Sequence, residues 1–203
     1  MKAPKCVAIL LACVGFSLIG CSEQSQAPVA PSDQAAQGTA SLEKRIIRDF
    51  TAAEAPDLLN PAGYIIDPGF SPPHNKNKTI VRGMLLRNVV MATFLDGGTD
   101  LLSGHGVIEM NFTIDLSANE GVCWGKLTLD PDAPEAGDGV WEITWNGTTT
   151  LGASGFVSPM KWVGQGKGGA IDGMQLFCDD QVMTIWSFPD GWTGAGTGSI
   201  KSH

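Results

Sequence analysis

The chain is short of several features that would point to a function. Thirteen Lys and Arg stand against 21 Asp and Glu, so there is no basic footprint of the kind nucleic acid requires. The same balance disfavours docking on anionic lipid heads and is read as solubility. Only three histidines and one tyrosine occur, which leaves little for acid–base or metal chemistry. No apolar run reaches the roughly 20 residues that a membrane-spanning helix needs; Val7 to Ile19 falls short of it. No convincing helical repeat occurs beyond Thr79, and nothing in the chain implies a cofactor.

The amino terminus is more informative. Lys2 and Lys5 precede the apolar stretch, which ends in Leu18-Ile19-Gly20-Cys21. Positive residues, a short hydrophobic run and a small-residue cleavage site describe a signal peptide over residues 1–20. The last four residues form a lipobox, and the segment resembles the processing site of bacterial lipoproteins. That resemblance implies cleavage before Cys21 and acylation of its sulfur with palmitate-type chains, so that the membrane is a partner through the anchor. Several chains matter physically, because one alone binds a bilayer only marginally. Ser22 follows the cysteine; by the Gram-negative sorting rule that the resemblance brings, a residue other than Asp there implies the outer membrane, with the domain in the periplasm or at the cell surface.

Residues 21–40 are rich in Gln, Ala, Ser and Pro and nearly free of large apolar residues. Such a segment buries too little surface to offset its ordering entropy and reads as a disordered tether. As a flexible coil it would span roughly 25 Å root-mean-square. With Cys6 and Cys13 in the leader and Cys21 at the anchor, Cys123 and Cys178 remain for the folded part. An exported domain with two cysteines is expected to join them in a disulfide.

Residues 41–203 read as one soluble β domain. Its beginning is ambiguous, since Leu42, Ile46, Ile47 and Phe50 fit a helical stripe while the β-branched pair suits a strand. Asp67 to Lys78 is a loop, and Thr79 to Phe94 is one long strand or two short ones. His105 to Leu116 alternates, with Ile108, Met110, Phe112, Ile114 and Leu116 on one face. Further strands are expected at Gly121–Asp130, Gly139–Asn146, Thr149–Val157, Pro159–Gly164, Ala170–Cys178, Val182–Phe188 and Thr193–Lys201. The connections are short and rich in Gly, Asp, Asn and Pro, as in successive hairpins. An antiparallel meander would leave costly edges unless it closed. The expected fold is therefore all-β, an antiparallel up-and-down β-barrel of about eight or nine strands.

The run Gly164-Gln-Gly-Lys-Gly-Gly-Ala-Ile-Asp-Gly-Met-Gln-Leu and the later Trp192-Thr-Gly-Ala-Gly-Thr-Gly-Ser-Ile resemble the glycine-punctuated last hairpins of calycin-like and allene-oxide-cyclase-like barrels. The resemblance covers about forty residues and implies architecture only; no catalytic position of those families matches here. A porin-like barrel is disfavoured, because a lipid anchor would be redundant and the chain ends Lys201-Ser202-His203 without a terminal aromatic strand.

Motifs for catalysis are weak. Gly152-Ala-Ser154-Gly155-Phe156 lacks the last glycine and the helix of a nucleophile elbow. His74 lies in a polar loop, and His203 at the terminus. His105 could share a strand face with Glu109 as an acid–base couple, but no third ligand stands at metal spacing. Gly164 to Gly169 suggests a dinucleotide loop without the helix that would hold the phosphate. The four carboxylates of Asp130 to Asp138 miss calcium-loop spacing.

Tryptophan offers more. Six tryptophans lie in the β region, and Trp141 and Trp145 share a face with Ile143. Together with Trp124, Trp186, Glu109 and Asn111 they are the candidates to line a barrel cavity; the alternative is that the aromatics simply fill the core. Three functions compete: a non-enzymatic binder of a small apolar or amphipathic ligand, a cyclase- or isomerase-like enzyme, and an envelope structural protein with a filled core. The binder is the first expectation.

Overall fold

The computed structural model describes residues 46–59, 64–72, 77–153, 155–187, 189 and 191–202. All of them belong to the unit Glu43–His203. The expected signal peptide, lipobox and tether, together with His74, Ser154 and His203, lie outside the described residues.

The strands are β1 (Ile47–Pro56), β2 (Ile65–Asp67), β3 (Lys78–Phe94), β4 (Gly104–Asp115), β5 (Glu120–Pro131), β6 (Val140–Gly152), β7 (Gly155–Lys167), β8 (Gln175–Ser187) and β9 (Gly191–Lys201). From β3 to β9 each strand pairs antiparallel with the next, and β1 pairs with both β9 and β3. Eight strands thus close an up-and-down barrel, as the meander predicts, and β2 is an extra strand on the edge of β3. Among the described residues no α-helix forms; Pro134–Ala136 and Gly169–Ile171 are single 3-10 turns.

The amino-terminal ambiguity resolves as a strand. Phe50, Ala52, Glu54 and Pro56 of β1 point inward in strict alternation. Thr79 to Phe94 belongs to a single strand, long enough to have two partners on one edge. β1 pairs with its lower part, from Phe50↔Phe94 to Pro56↔Asn88. β2 pairs at Leu85 and Leu86, and a bridge joins Phe70 to Arg82 above that. The strand bends at Arg82-Gly83, where the register passes from Val81↔Phe112 to Met84↔Met110 and Gly83 has φ 65°. One extra residue in one strand is a β-bulge.

Five expected strands are redrawn as three, β6, β7 and β8. Val140–Asn146 and the first four residues of Thr149–Val157 form one strand, β6, the turn comes after Gly152, and Gly155 to Val157 open β7. Gly147 reads as a break but sits in mid-strand, where a Cβ would clash with the Pro159 carbonyl oxygen and stand 2.9 Å from the Met160 side chain. Pro159 lies inside β7, beside the bulge where its ladder with β8 is already interrupted between Met160 and Trp162. Cys178 and Val182 belong to the same strand, β8. Leu116 lies past the end of β4 and is exposed.

Side chains fill the barrel unevenly along its axis. At the end that carries the β3–β4, β5–β6 and β7–β8 connections, Leu101, Leu102, Ala136 and Ile171 are buried as a plug. Trp141 packs there, its indole Nε1 donating to the Leu101 carbonyl at 2.8 Å. Asp100 fixes the plug loop by accepting from the backbone N–H of Leu102 and Ser103, each at 2.9 Å. Phe50, Trp145, Trp162 and Trp192 are buried within the wall. Leu102 is fully buried, so Leu102→Ala should lower unfolding stability by about 2–5 kcal/mol, transfer and cavity terms together. Urea denaturation of the wild type and the variant measures this.

Candidate functional site

The opposite end of the barrel is not plugged in the same way. Thr79 and Val81 of β3, Phe112 and Ile114 of β4, Thr149 of β6, Phe156 of β7 and Ile185 of β8 line a pocket of about 140 Å³. Inward alternation on five strands supplies this lining, so the pocket belongs to the barrel mouth. The Thr149 hydroxyl is taken up by Ser158 at 2.8 Å. Apart from Thr79, what remains facing the pocket is aliphatic and aromatic.

Deeper in the barrel lies a polar group that is not among the expected site residues. Glu54, Asn88 and Gln181 are buried, Glu54 at 1% exposure. Both Glu54 carboxyl oxygens, both Asn88 amide atoms and Gln181 Nε2 lack a hydrogen-bond partner. Glu54 pairs with Val90 on β3, and Asn88 is the next inward residue of that strand. On β9, Gly194 lies opposite Glu54. A Cβ at Gly194 would stand 2.6 Å from Gln181 Nε2 and 2.9 Å from Glu54 Oε1, so the two side chains lie over the same bare spot in the wall. The inward glycines of β9 therefore make room for polar side chains.

Gln181 is turned inward by a bulge. The β8 register passes from Cys178↔Gly198 to Val182↔Ala195, one residue longer than its partner, and the outward Asp179 and Asp180 absorb the extra residue. Asp180 anchors the bulge by accepting from the N–H and hydroxyl of Thr197, both at 2.7 Å. Burial without a counter-charge pushes the Glu54 carboxyl up to about 8. It therefore carries its proton at neutral pH and can both donate and accept.

Tyr64 closes the wall above this group. Its hydroxyl accepts from Trp192 Nε1 at 2.7 Å and donates to the Pro189 carbonyl at 2.6 Å. It joins the segment leading into β2 to the start of β9, where β1 has already ended. Trp192 is the inward residue just before Gly194 on β9, and it is buried.

The six expected ligand residues do not come together. Trp141 and Trp145 lie inside, Trp141 in the plug and Trp145 over Gly125, with its Nε1 also unpartnered. Trp124 and Trp186 are on the outer face, 37% and 57% exposed. Glu109 and Asn111 are outward as well. Asn111 fills the β3 bulge, accepting from the Gly83 N–H at 2.9 Å and donating to Glu109 Oε1 at 3.0 Å. The Arg82 guanidinium covers Trp124 at 4.6 Å from the ring centroid.

Cys123 and Cys178 are free buried thiols, not the expected disulfide. They stand on β5 and β8, which are not neighbours in the sheet. Burial raises both thiols, Cys178 to about 11, so neither is activated as a nucleophile. His105 pairs with Asp57 at 3.1 Å rather than with Glu109. Among the described residues no group of three or more His, Cys, Asp or Glu is placed to hold a metal.

The chain matches no family model, no curated protein and no solved structure. The fold and the two interior features define its class: a closed antiparallel barrel with an apolar mouth above a buried polar group.

The Glu54 shift has a sign that can be tested. The folded state keeps this proton to about pH 8, whereas the unfolded chain releases it near the ordinary carboxyl value of 4.5. Glu54 therefore favours folding least above about pH 8, where both states are ionised, and stability should fall as pH rises from about 4.5 to about 8. Glu54→Gln should flatten that fall and be more stable than the wild type at pH 8. Chemical denaturation across that range measures both.

Proposed function

We propose that the chain is a lipid-anchored envelope protein whose barrel mouth takes a small apolar group, without catalysis. One observation carries the binding reading: the pocket among Val81, Phe112, Ile114, Phe156 and Ile185, about 140 Å³ in volume. A dry apolar cavity of about 150 Å³ accepts benzene or xenon. Drug-sized ligands occupy about 300–1,000 Å³. The ligand, or the part of it that enters, is therefore the size of one ring or a short alkyl segment. The up-and-down closure supports a calycin-like reading of the architecture.

A binder is favoured over an enzyme because the pocket walls offer two threonines and otherwise hydrocarbon. The plug and the four buried tryptophans favour the structural reading for the lower barrel, and the mouth is where the two readings part. The anchor rests on Leu18-Ile19-Gly20-Cys21, with Ser22 supporting the outer membrane.

The two halves are tested separately. Cys21→Ala should move the protein from the membrane to the soluble fraction on fractionation of cells; retention in the membrane contradicts the anchor. For the mouth, toluene should bind the purified domain and shift side-chain methyl resonances of Val81, Ile114 and Ile185. Phe156→Trp should reduce that binding by about tenfold or more, as lost cavity volume is filled. Equal shifts in wild type and variant contradict a mouth site, and no shift in either favours the filled structural barrel.

A further inference from the structure

The unpartnered polar atoms inside the barrel are too many to be incidental. Glu54, Asn88 and Gln181 contribute five such atoms, and each buried unsatisfied group costs about 1–3 kcal/mol. That total is comparable to the whole stability of a typical domain, about 5–15 kcal/mol. Native proteins pair nearly all buried polar atoms with protein or with bound molecules.

The chemistry of the group limits what could pair with it. Asn88 offers a free acceptor and a free donor, Gln181 a free donor, and Glu54 a carboxyl. On β3 Glu54 pairs with Val90, with Asn88 the next inward residue on the diagonal; from β9 it faces Gly194, over which Gln181 from β8 also lies. None of these is charged. The nearest titratable groups on β8 are the buried Cys178 thiol and the outward Asp180, which Thr197 holds. An anion entering here would meet no cation, and an ammonium group would have to be stripped of water and also ionise the carboxyl. A neutral group with both a donor and an acceptor satisfies all three side chains at no charge cost.

The path from the mouth is short. Ile185 lines the pocket, and Met183 and then Gln181 follow it on the inward face of β8. Met183 is the side chain between them, unbranched and able to change rotamer.

We propose that Glu54, Asn88 and Gln181 form the polar end of the mouth site, and that the ligand is a small neutral amphiphile carrying a hydroxyl or carboxamide. This rests on the mouth reading above and names the ligand class for it. Its apolar part lies among Phe112, Phe156 and Ile185, and its head displaces Met183 to reach Gln181 and Glu54.

Four probes of one shape test it: toluene, benzyl alcohol, benzylammonium and benzoate, titrated into the folded protein at pH 7. Benzyl alcohol should bind about tenfold tighter than toluene, the increment of one or two hydrogen bonds, and the two ions more weakly than either. Gln181→Leu should erase the difference between benzyl alcohol and toluene while toluene binding persists, which also reports that the variant is folded. Glu54→Gln, which cannot ionise, should keep the preference and hold it constant across pH 8. Equal binding of toluene and benzyl alcohol overturns the polar end and leaves the mouth site standing. Tightest binding of benzylammonium overturns the neutral class. Binding of none of the four overturns the mouth reading itself.

Discussion

Closure is the constraint on which the rest of this protein depends. β1 is hydrogen-bonded along both edges, to β9 on one side and to the lower part of β3 on the other. An open antiparallel sheet of this length would expose two unpaired edges and one apolar face. Closing it turns every inward residue into core and leaves the outer face to water. It also places Glu54, a residue of the closing strand, in the interior. The strand that seals the barrel thus carries its one fully buried acid among the described residues. Above Pro56, where β1 stops, the seam passes to β2 and to Tyr64, whose hydroxyl ties Trp192 and Pro189 together.

The interior is divided along the barrel axis. At one end the plug residues and Trp141 leave a solid core. At the other, branched side chains and two phenylalanines leave a ring-sized pocket. Between them stands the polar group, accommodated by the bare backbone of Gly194 and Gly196. A Cβ at Gly196 would meet the Gln181 side chain, as one at Gly194 would meet both Gln181 and Glu54. The alternating glycines of β9 resemble turn punctuation, yet they are a strand whose missing side chains give space to its neighbours.

This explains what was and was not legible in the sequence. The alternation of Ile108, Met110, Phe112 and Ile114 specified β4 and its inward face directly, and the number of such segments specified a barrel. Strand limits were lost wherever glycine or proline has a packing role instead of a turn role, as at Gly147 and Pro159. The site was less legible still. Asn88 stands in phase with Leu86 and Val90, a polar residue on an apolar stripe, and that signal was available. Glu54 became visible only once the ambiguous first segment proved to be a strand. Gln181 was hidden by the β8 bulge, since a two-residue period carried through Asp179 and Asp180 places it on the wrong face. Trp124 and Trp186 show the converse. Large aromatics are costly to leave exposed, so counting them as lining is natural, but strand phase puts both outside, and Arg82 covers Trp124.

The central claim is that the mouth of this barrel is an apolar site held open by its own lining. Crystals of the folded domain pressurised with xenon test it most directly. The account predicts a xenon atom among Phe112, Ile114, Phe156 and Ile185, with the surrounding side chains unmoved. A mouth closed over by those same side chains, with no xenon bound there, would contradict it.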